Sequence, residues 1–523
     1  MSQFSMPQKS KPDRASIFIS HPTASIYGFM LLLSFLFMWL HIPILKISFV
    51  SDDYVWVRDV TISDHLNDFF KETFALKDTD FRYRPLMPTT VRLCYEVSGI
   101  SPFCMHLVSL ILHFFNTLLT WKVSYLITKN RWAAGFAALF FATYFAHVEN
   151  VAWISDLGNL LTGFLMLATV ILFLRFASQR NYIFWGLSLV TFAMAMISKE
   201  SALALGPILV TWGAIMYWRA SDRYARKPLL IACASYGMLA GVYVLLINRT
   251  GLIFAFSGAG NYTYRLSLIT LRNVLYYPLN FFWPTPVSTL ELVYQHIFAI
   301  SQTYTGFTQE SMAAILTIPG LAWILGGTLV FWLGAAWLLW QRQLVDWLAL
   351  AWLILGLLPV IFLGSHSERH MYVASIGLSL LVGSLFARQV RISRKRWPDS
   401  AALLLTTSFV IILALNIHWT HIRLRNWQVA GQTASRIITT VMNRYPNLSP
   451  ESELWFVNLP DNFNDAYIFR LGIDAALQLE TKNRKLSAHS LPTVDQLPPT
   501  LGLNQYAFIF EDGRLLDLTP DYR

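Results

Sequence analysis

The sequence predicts an α-helical polytopic membrane protein of about eleven transmembrane helices with a small C-terminal α/β extracytoplasmic domain. Three observations carry that prediction. Of 523 residues 55% are apolar and only 13% charged, too little charge for a soluble surface of this size. Apolar runs close to the ~20 residues needed to cross a bilayer core recur as far as residue 419. Lys and Arg gather in alternate short loops.

The first span is Ile26–Leu45, uncharged before Lys46 and too long for a cleaved signal. Those that follow are Pro102–Ile127, Trp132–Ala146, Leu157–Leu174, Tyr182–Ile197, Ala202–Trp218, Pro228–Ile247, Ala313–Trp340, Leu344–Leu363, Met371–Ala387 and Ala401–Trp419. Leu266–Trp283 reads as a re-entrant or interfacial piece, so ten to thirteen spans bound the count. Basic residues mark one side: Lys129 and Arg131; Arg175 and Arg180; Arg219, Arg223, Arg226 and Lys227; Arg342; Arg388, Arg391, Arg394, Lys395 and Arg396; and Lys9, Lys11 and Arg14 in the tail. That side is cytoplasmic. The division is then a cytoplasmic tail over 1–25, a transmembrane domain over 26–419 with a long outer loop at about 47–101, and an outer C-terminal domain over 420–523. The net charge of +10 is largely topology signal, which removes nucleic acid as a partner.

After about His421, Arg423–Tyr445 reads as an amphipathic helix with Trp427, Ala430, Ala434, Ile437, Ile438 and Val441 on one stripe. A strand over Leu454–Leu459, a helix over Ala466–Leu479, and a hairpin from Tyr506–Phe510 through Asp512-Gly513 to Leu515–Leu518 complete the domain. Cys94, Cys104 and Cys233 show neither CxxC spacing nor a zinc-type histidine pattern. Neither a metal knuckle nor a disulfide framework is expected, and all three read as packing residues.

The outer face collects the unusual polar residues. Its first loop carries the adjacent carboxylates Asp52 and Asp53, with Asp59, Arg82, Arg84 and Arg92 among Trp56, Phe69, Phe70, Phe74 and Phe81. Two carboxylates at a membrane surface point to chemistry on a lipid-borne substrate, and an amphipathic helix at Ser63–Phe74 lying against the membrane fits that. Shorter outer loops add His147-Val148-Glu149-Asn150, Ser198-Lys199-Glu200 and His366-Ser367-Glu368-Arg369-His370.

These residues occur in an order that resembles a known family. Asp52-Asp53, Tyr83-Arg84-Pro85-Leu86, the Gly99, Pro102, His106-Leu107, His113, Asn116 pattern, His147-Val148-Glu149 with Ala152-Trp153-Ile154-Ser155, Leu160-Leu161, Ser198-Lys199-Glu200, and Glu368-Arg369 with Tyr372 and Ser375 together span roughly residues 45 to 380. The run resembles the multispanning, GT-C type glycosyltransferases that use polyprenyl-phosphate sugars, closest to the transmembrane O-mannosyltransferases with tetratricopeptide repeats. It departs from them at Tyr144-Phe145, where that family reads His-Pro, and at Asp156-Leu157-Gly158-Asn159, where it reads Gly-Arg-Ala and an acidic residue. No tetratricopeptide repeats occur in these residues.

The resemblance implies transfer of a sugar from a polyprenyl-phosphate carrier to a protein, glycan or lipid hydroxyl on the outer face, with inversion. A phosphate leaving group already activates such a donor, so the enzyme must deprotonate an acceptor and hold the departing charge. Asp52 and Asp53 are the catalytic candidates, their like charges raising the pKa of one and making it a better base. Arg369, Arg84 and Lys199 are the candidates for the donor phosphate, a guanidinium fork matching phosphate oxygens. His147, Glu149, Glu200, His370 and Tyr372 are further candidates for substrate binding. No cofactor is required and no metal site is expected. Were an ion present, Mg²⁺ or Mn²⁺ on the acidic pair would suit oxygen ligation.

Bland readings stand beside each. An acidic pair outside a span also serves as a solvated helix end or cap, Arg369 as an interfacial anchor, Arg84 as a loop brace, and Lys199-Glu200 as a charge pair. His106, His113 and Asn116 fit interhelical hydrogen bonding. A lipid transporter or flippase, or a non-catalytic scaffold, would also explain the spans, but no internal duplication is visible and the charges cluster at one face. A bacterial inner membrane is the expected location, with the C-terminus periplasmic.

Overall fold

The computed structural model describes residues 22–63, 65–75, 83–219, 223–248, 268–281, 308–318, 320–363, 367–396 and 400–523, with short pieces between 292 and 303. Residues 1–21 of the expected tail, Phe81, Arg82 and His366 lie outside the described residues.

Nine of the described helices are long and apolar enough to cross a membrane. In order come α1 (Pro22–His41), α2 (Asp52–Val60), α3 (Leu66–Phe74), α4 (Leu86–Ser98), α5 (Pro102–Thr128), α6 (Arg131–Thr143), α7 (Val148–Ala152), α8 (Leu157–Gln179), α9 (Tyr182–Met196), α10 (Leu205–Arg219), α11 (Arg223–Asn248) and α12 (Leu268–Asn280). After them lie helices Gln309–Leu316, Leu321–Trp340, Leu344–Ile361, Tyr372–Arg396 and Ser400–Arg444. Every expected span falls on a helix. Two of them, α6 with 13 residues and α9 with 15, are shorter than a full crossing. The expected span Ala313–Trp340 is broken, because Gly320 at φ +81 turns the chain before Leu321. The interfacial candidate contains α12, 13 residues with Pro278 inside it; its ends at Leu266, Phe282 and Trp283 lie outside the described residues.

Helix Tyr372–Arg396 is central, and its residues 372–381 are all buried. It approaches helix Leu344–Ile361 so closely that a Cβ on Gly377 would meet Ala349 O at 2.6 Å. Small residues at such crossings let backbones pack where lipid offers no hydrophobic gain.

No break in the helix marks the boundary expected near His421. Ser400–Arg444 is one helix of 45 residues. Between Trp419 and Arg423 no proline or glycine interrupts the ladder, so the helix runs on for about 68 Å, twice a ~30 Å hydrocarbon core. Its C-terminal half buries the predicted stripe of Trp427, Ala430, Ala434, Ile437, Ile438 and Val441.

The C-terminal sheet has the order β4-β1-β5-β6, with β1 (Glu453–Val457) parallel to β4 (Ser487–Leu491) and β5 (Gln505–Glu511), and β6 (Arg514–Asp517) antiparallel to β5. Asp512 and Gly513, at φ 49 and 75, make the expected tight turn. The helix expected over Ala466–Leu479 is instead a hairpin of β2 (Asn462–Phe463) with β3 (Ala466–Tyr467), then Ile473–Thr481, separated by Gly472 at φ +85. Cys94 and Cys104 are also corrected: they form a disulfide, with Cα atoms 5.5 Å apart. Gly99, at φ 62, folds α4 back towards the start of α5 and brings them together, a pairing that ten residues of separation did not signal.

Candidate active site

Asp52 and Asp53 occupy the first turn of α2, where the helix dipole favours negative charge. Ser51 caps this helix with φ 44 and ψ −123, outside the basins ordinarily open to a side-chain-bearing residue, at a cost of about 1–3 kcal/mol. The two carboxylates differ. Asp52 is half-buried and accepts from Ser51 Oγ at 3.1 Å. Asp53 is fully buried: Oδ1 accepts from the Ser155 N–H at 2.8 Å and Oγ at 2.7 Å, and Oδ2 from the Val50 N–H at 3.2 Å. Burial pushes the Asp53 carboxyl up to about 7, opposed by the Ser155 bonds. The Asp52 charge contributes least, so the repulsion expected within the pair is not the main cause.

Ser155 belongs to a short 3₁₀ turn, Ile154–Asp156, and this turn joins the acidic pair to the basic candidates. Asp156 accepts from Lys199 Nζ at 2.8 Å and from Asn150 and Asn159 Nδ2 at 2.6 and 2.7 Å. Both asparagine amides also donate to the Arg369 carbonyl, at 3.0 and 3.1 Å. The Arg369 guanidinium lies 4.7 Å from the Trp153 ring centre and 3.3 Å from Glu149 Oε1. Glu149 further accepts from the Arg369 N–H, Ser367 Oγ and the Tyr467 hydroxyl. Arg84 forms a two-pronged pair with Glu200, its Nε 2.8 Å from Oε2. Arg84, Glu200 and Arg369 all act on the Lys199 charge. All three basic candidates are thus brought together, each with its own carboxylate, while no ion pair involves Asp52 or Asp53 among the described residues.

The remaining candidates divide. Glu149 and Glu200 belong to the cluster, and His370 Nδ1 lies 3.1 Å from the Tyr277 hydroxyl. His147 and Tyr372 are sealed inside the bundle: His147 bonds the Phe141 carbonyl and Ser375 Oγ, and the Tyr372 hydroxyl bonds His113 and Asn116. Both therefore face other helices rather than open space, because every polar atom of these rings is matched by a neighbouring helix. Among the described residues no group of three or more His, Cys, Asp or Glu is placed to hold a metal ion.

Sequence reasoning missed several members. Asp156 read as a departure from a motif, yet it is the carboxylate that holds Lys199. Arg423 of the long helix pairs with Glu368 at 2.5 Å and Asp465 at 2.8 Å, and Tyr467 reaches Glu149 from the C-terminal domain. Nothing local in the sequence marks contacts made across so long a separation.

No family model matches the chain. It is 32% identical over 174 residues to the protein O-mannosyl-transferase TMTC1 of Homo sapiens, a match covering 31% of this chain and 20% of that protein. It is 27% identical over 282 residues to the protein O-mannosyl-transferase Tmtc1 of Drosophila melanogaster, covering 48% and 32%. The chain thus spans less than a third of these relatives' length. Among solved structures it is similar to ArnT from Cupriavidus metallidurans bound to undecaprenyl phosphate, at 12% identity and TM-score 0.46, covering 94% of this chain and 93% of that one. It is similar also to an oligosaccharyltransferase from Archaeoglobus fulgidus, at 10% identity and TM-score 0.49, covering 89% and 62%. The curated relatives are protein O-mannosyl-transferases, the activity of the family that the motifs resemble, and over the matched stretches the chain is similar to them.

Proposed function

We propose that this chain transfers a hexosyl group, inverting, from a polyprenyl-phosphate carrier to an acceptor hydroxyl at the outer face of a membrane. The observation that carries the reading is the docking of Asp53 onto Ser155, which fastens the acidic pair to the turn that holds Lys199 and backs Arg369. Asp52, the more open carboxylate, takes the acceptor proton as the acceptor oxygen bonds to the anomeric carbon. The bond from that carbon to phosphate breaks, and polyprenyl phosphate leaves with the electron pair. Arg369, Arg84 and Lys199 hold its charge, and each exchanges some contact with its own carboxylate for a phosphate oxygen. Asp53 is the positioning member. Glu149, Glu200 and His370 border the space that donor and acceptor share.

The orientation follows the basic loops, with the N-terminus cytoplasmic. The Cys94–Cys104 disulfide at the outer end of α5 supports it, since disulfides persist on the oxidising side. In a bacterial inner membrane that side is the periplasm. A reporter active only outside the cytoplasm should work after residue 523 and fail near Lys395.

The chemistry needs no metal in this reading. Both oxygens of Asp53 already accept hydrogen bonds, which leaves Asp52 as the carboxylate with room for Mg²⁺ or Mn²⁺. Chelation should leave the rate unchanged; a rate lost on chelation and restored by either ion would show that an ion takes part. The decisive test replaces Asp52 and Asp53 together by Asn and follows released polyprenyl phosphate. Transfer should fall at least ~10²-fold with expression maintained, and undiminished turnover would remove the mechanism.

A further inference from the structure

Ser51 is held in its unusual conformation from far along the chain. Its N–H donates to the Ile468 carbonyl at 2.8 Å, and its Oγ accepts from the Leu471 N–H at 3.3 Å. Gly472, at φ +85, faces the Ser51 carbonyl so closely that a Cβ there would lie 2.6 Å from the oxygen. The far end of α2 is gripped as well: Arg58 donates to Asp474 at 3.0 Å and Gln478 at 3.2 Å, and Arg484 donates to the Thr61 carbonyl. Nearby, the Tyr467 hydroxyl lies 3.3 Å from Glu149 and its ring 4.7 Å from that of Trp153. Asn426 and Arg423 bind Asp465, anchoring the hairpin that presents Tyr467 to the long helix.

From these contacts we infer that the segment 465–484 of the C-terminal domain is part of the catalytic site, with Gly472 and Asp474 as positioning residues that set where the Asp52 carboxylate points. The inference rests on the transferase reading above. Its physical basis is that a residue at positive φ keeps that conformation only while its surroundings over-determine it. Ser51 immediately precedes Asp52 and hydrogen-bonds its carboxylate, so a change at Ser51 rotates the first turn of α2. The donor phosphate, by contrast, meets side chains on other elements. Loss of the C-terminal grip should therefore alter turnover and leave donor affinity nearly untouched.

The test uses the full chain in nanodiscs. Gly472→Ala is compared with Gly502→Ala, a change in the same domain with ordinary room for a Cβ. Gly472→Ala should lower kcat at least tenfold with the KM for lipid donor within twofold, and should speed amide hydrogen exchange over residues 51–54. Gly502→Ala should do neither. A charge exchange guards against misfolding: Arg58→Asp should impair kcat, and adding Asp474→Arg should recover most of it. Wild-type kcat in Gly472→Ala, or no recovery in the exchange pair, overturns the inference and leaves the transferase reading standing. If wild type consumes no lipid-linked sugar, that reading falls, and unchanged exchange over residues 51–54 in Gly472→Ala still overturns the positional claim.

Discussion

Around the acidic pair Glu149, Asp156 and Glu200 each hold a cation, while Asp52 is half-buried and forms no ion pair among the described residues. Inside the bundle, the His113 ring centre lies 5.2 Å from that of His41 and 5.1 Å from that of His147, and the three are bonded to the Tyr372 hydroxyl, the Ala142 carbonyl and the Phe141 carbonyl respectively. Both regions are rich in ionisable groups. The difference lies in what each can still bind. Fixed opposite charges with half-exposed neighbours can trade partners with a phosphate, whereas rings locked to backbone and to one another complete the packing of helices. Ionisable residues in a membrane protein thus sort by the partners they already have, more than by their type.

The comparison breaks most readily at Arg369. Removing one partner of a buried pair strands the other, so Arg369→Ala should cost about 3–5 kcal/mol against Glu149 and abolish measurable transfer. Arg369→Lys keeps charge but loses the planar fork and the stacking on Trp153, and should be intermediate. Donor titration that reads polyprenyl phosphate separates the cases. Equal donor dependence in wild type and both variants would take Arg369 out of the site and turn attention to Arg84 and Lys199.

Next in size is a pH effect centred on the acidic pair. Burial raises the Asp53 carboxyl from 3.8 to about 7. Between those values the folded chain keeps a proton that the unfolded chain has lost. Its contribution to stability is therefore whole below about 4 and is lost as pH rises to about 7. Wild type should melt at lower temperature at pH 8 than at pH 5, with Asp53→Asn reducing the difference. Transfer should run the other way, rising towards pH 7 as the carboxylate forms and accepts fully from Ser155. A flat rate profile from pH 5 to 8 would show that Asp53 does not titrate in that window.

How far the sequence reveals this arrangement depends on the range of the forces involved. The spans were legible because their signal is local: apolar length and the side on which Lys and Arg fall. Asp52, Asp53, Arg369, Arg84 and Lys199 were legible as a group because topology puts them on one face. The carboxylate partners were partly hidden: Glu149 and Glu200 stood among the motifs, but Asp156 looked like a deviation. Tyr467, Asp465 and Gly472 were invisible, since their role exists only once Ser400–Arg444 continues unbroken and returns the C-terminal domain to α2. The disulfide belongs with these, made by a turn at Gly99 that no cysteine spacing records.

The smallest expected effect lies in the interior. His113 and Asn116 share the Tyr372 hydroxyl, and Asn116 also donates to the Leu160 carbonyl, yet Nε2 of His113 and Oδ1 of Asn116 find no hydrogen-bond partner among the described residues. Hydrogen bonds between membrane helices average only about 0.6 kcal/mol, because the unfolded chain in the bilayer also finds partners. His113→Phe, which keeps a ring among the rings of Phe37, Phe141 and His147, should therefore lower the melting temperature slightly and change kcat and donor KM less than about twofold. Asn116→Leu should cost more, since it removes two donated bonds and sets a branched side chain against Gly163, where even a Cβ would meet the Tyr372 ring at 2.8 Å. Melting and turnover measured on both variants decide the matter. A loss of turnover in His113→Phe as large as that in Arg369→Ala, at unchanged melting temperature, would mean that the interior histidines serve the reaction after all, and the line drawn between the two regions would have to be redrawn around them.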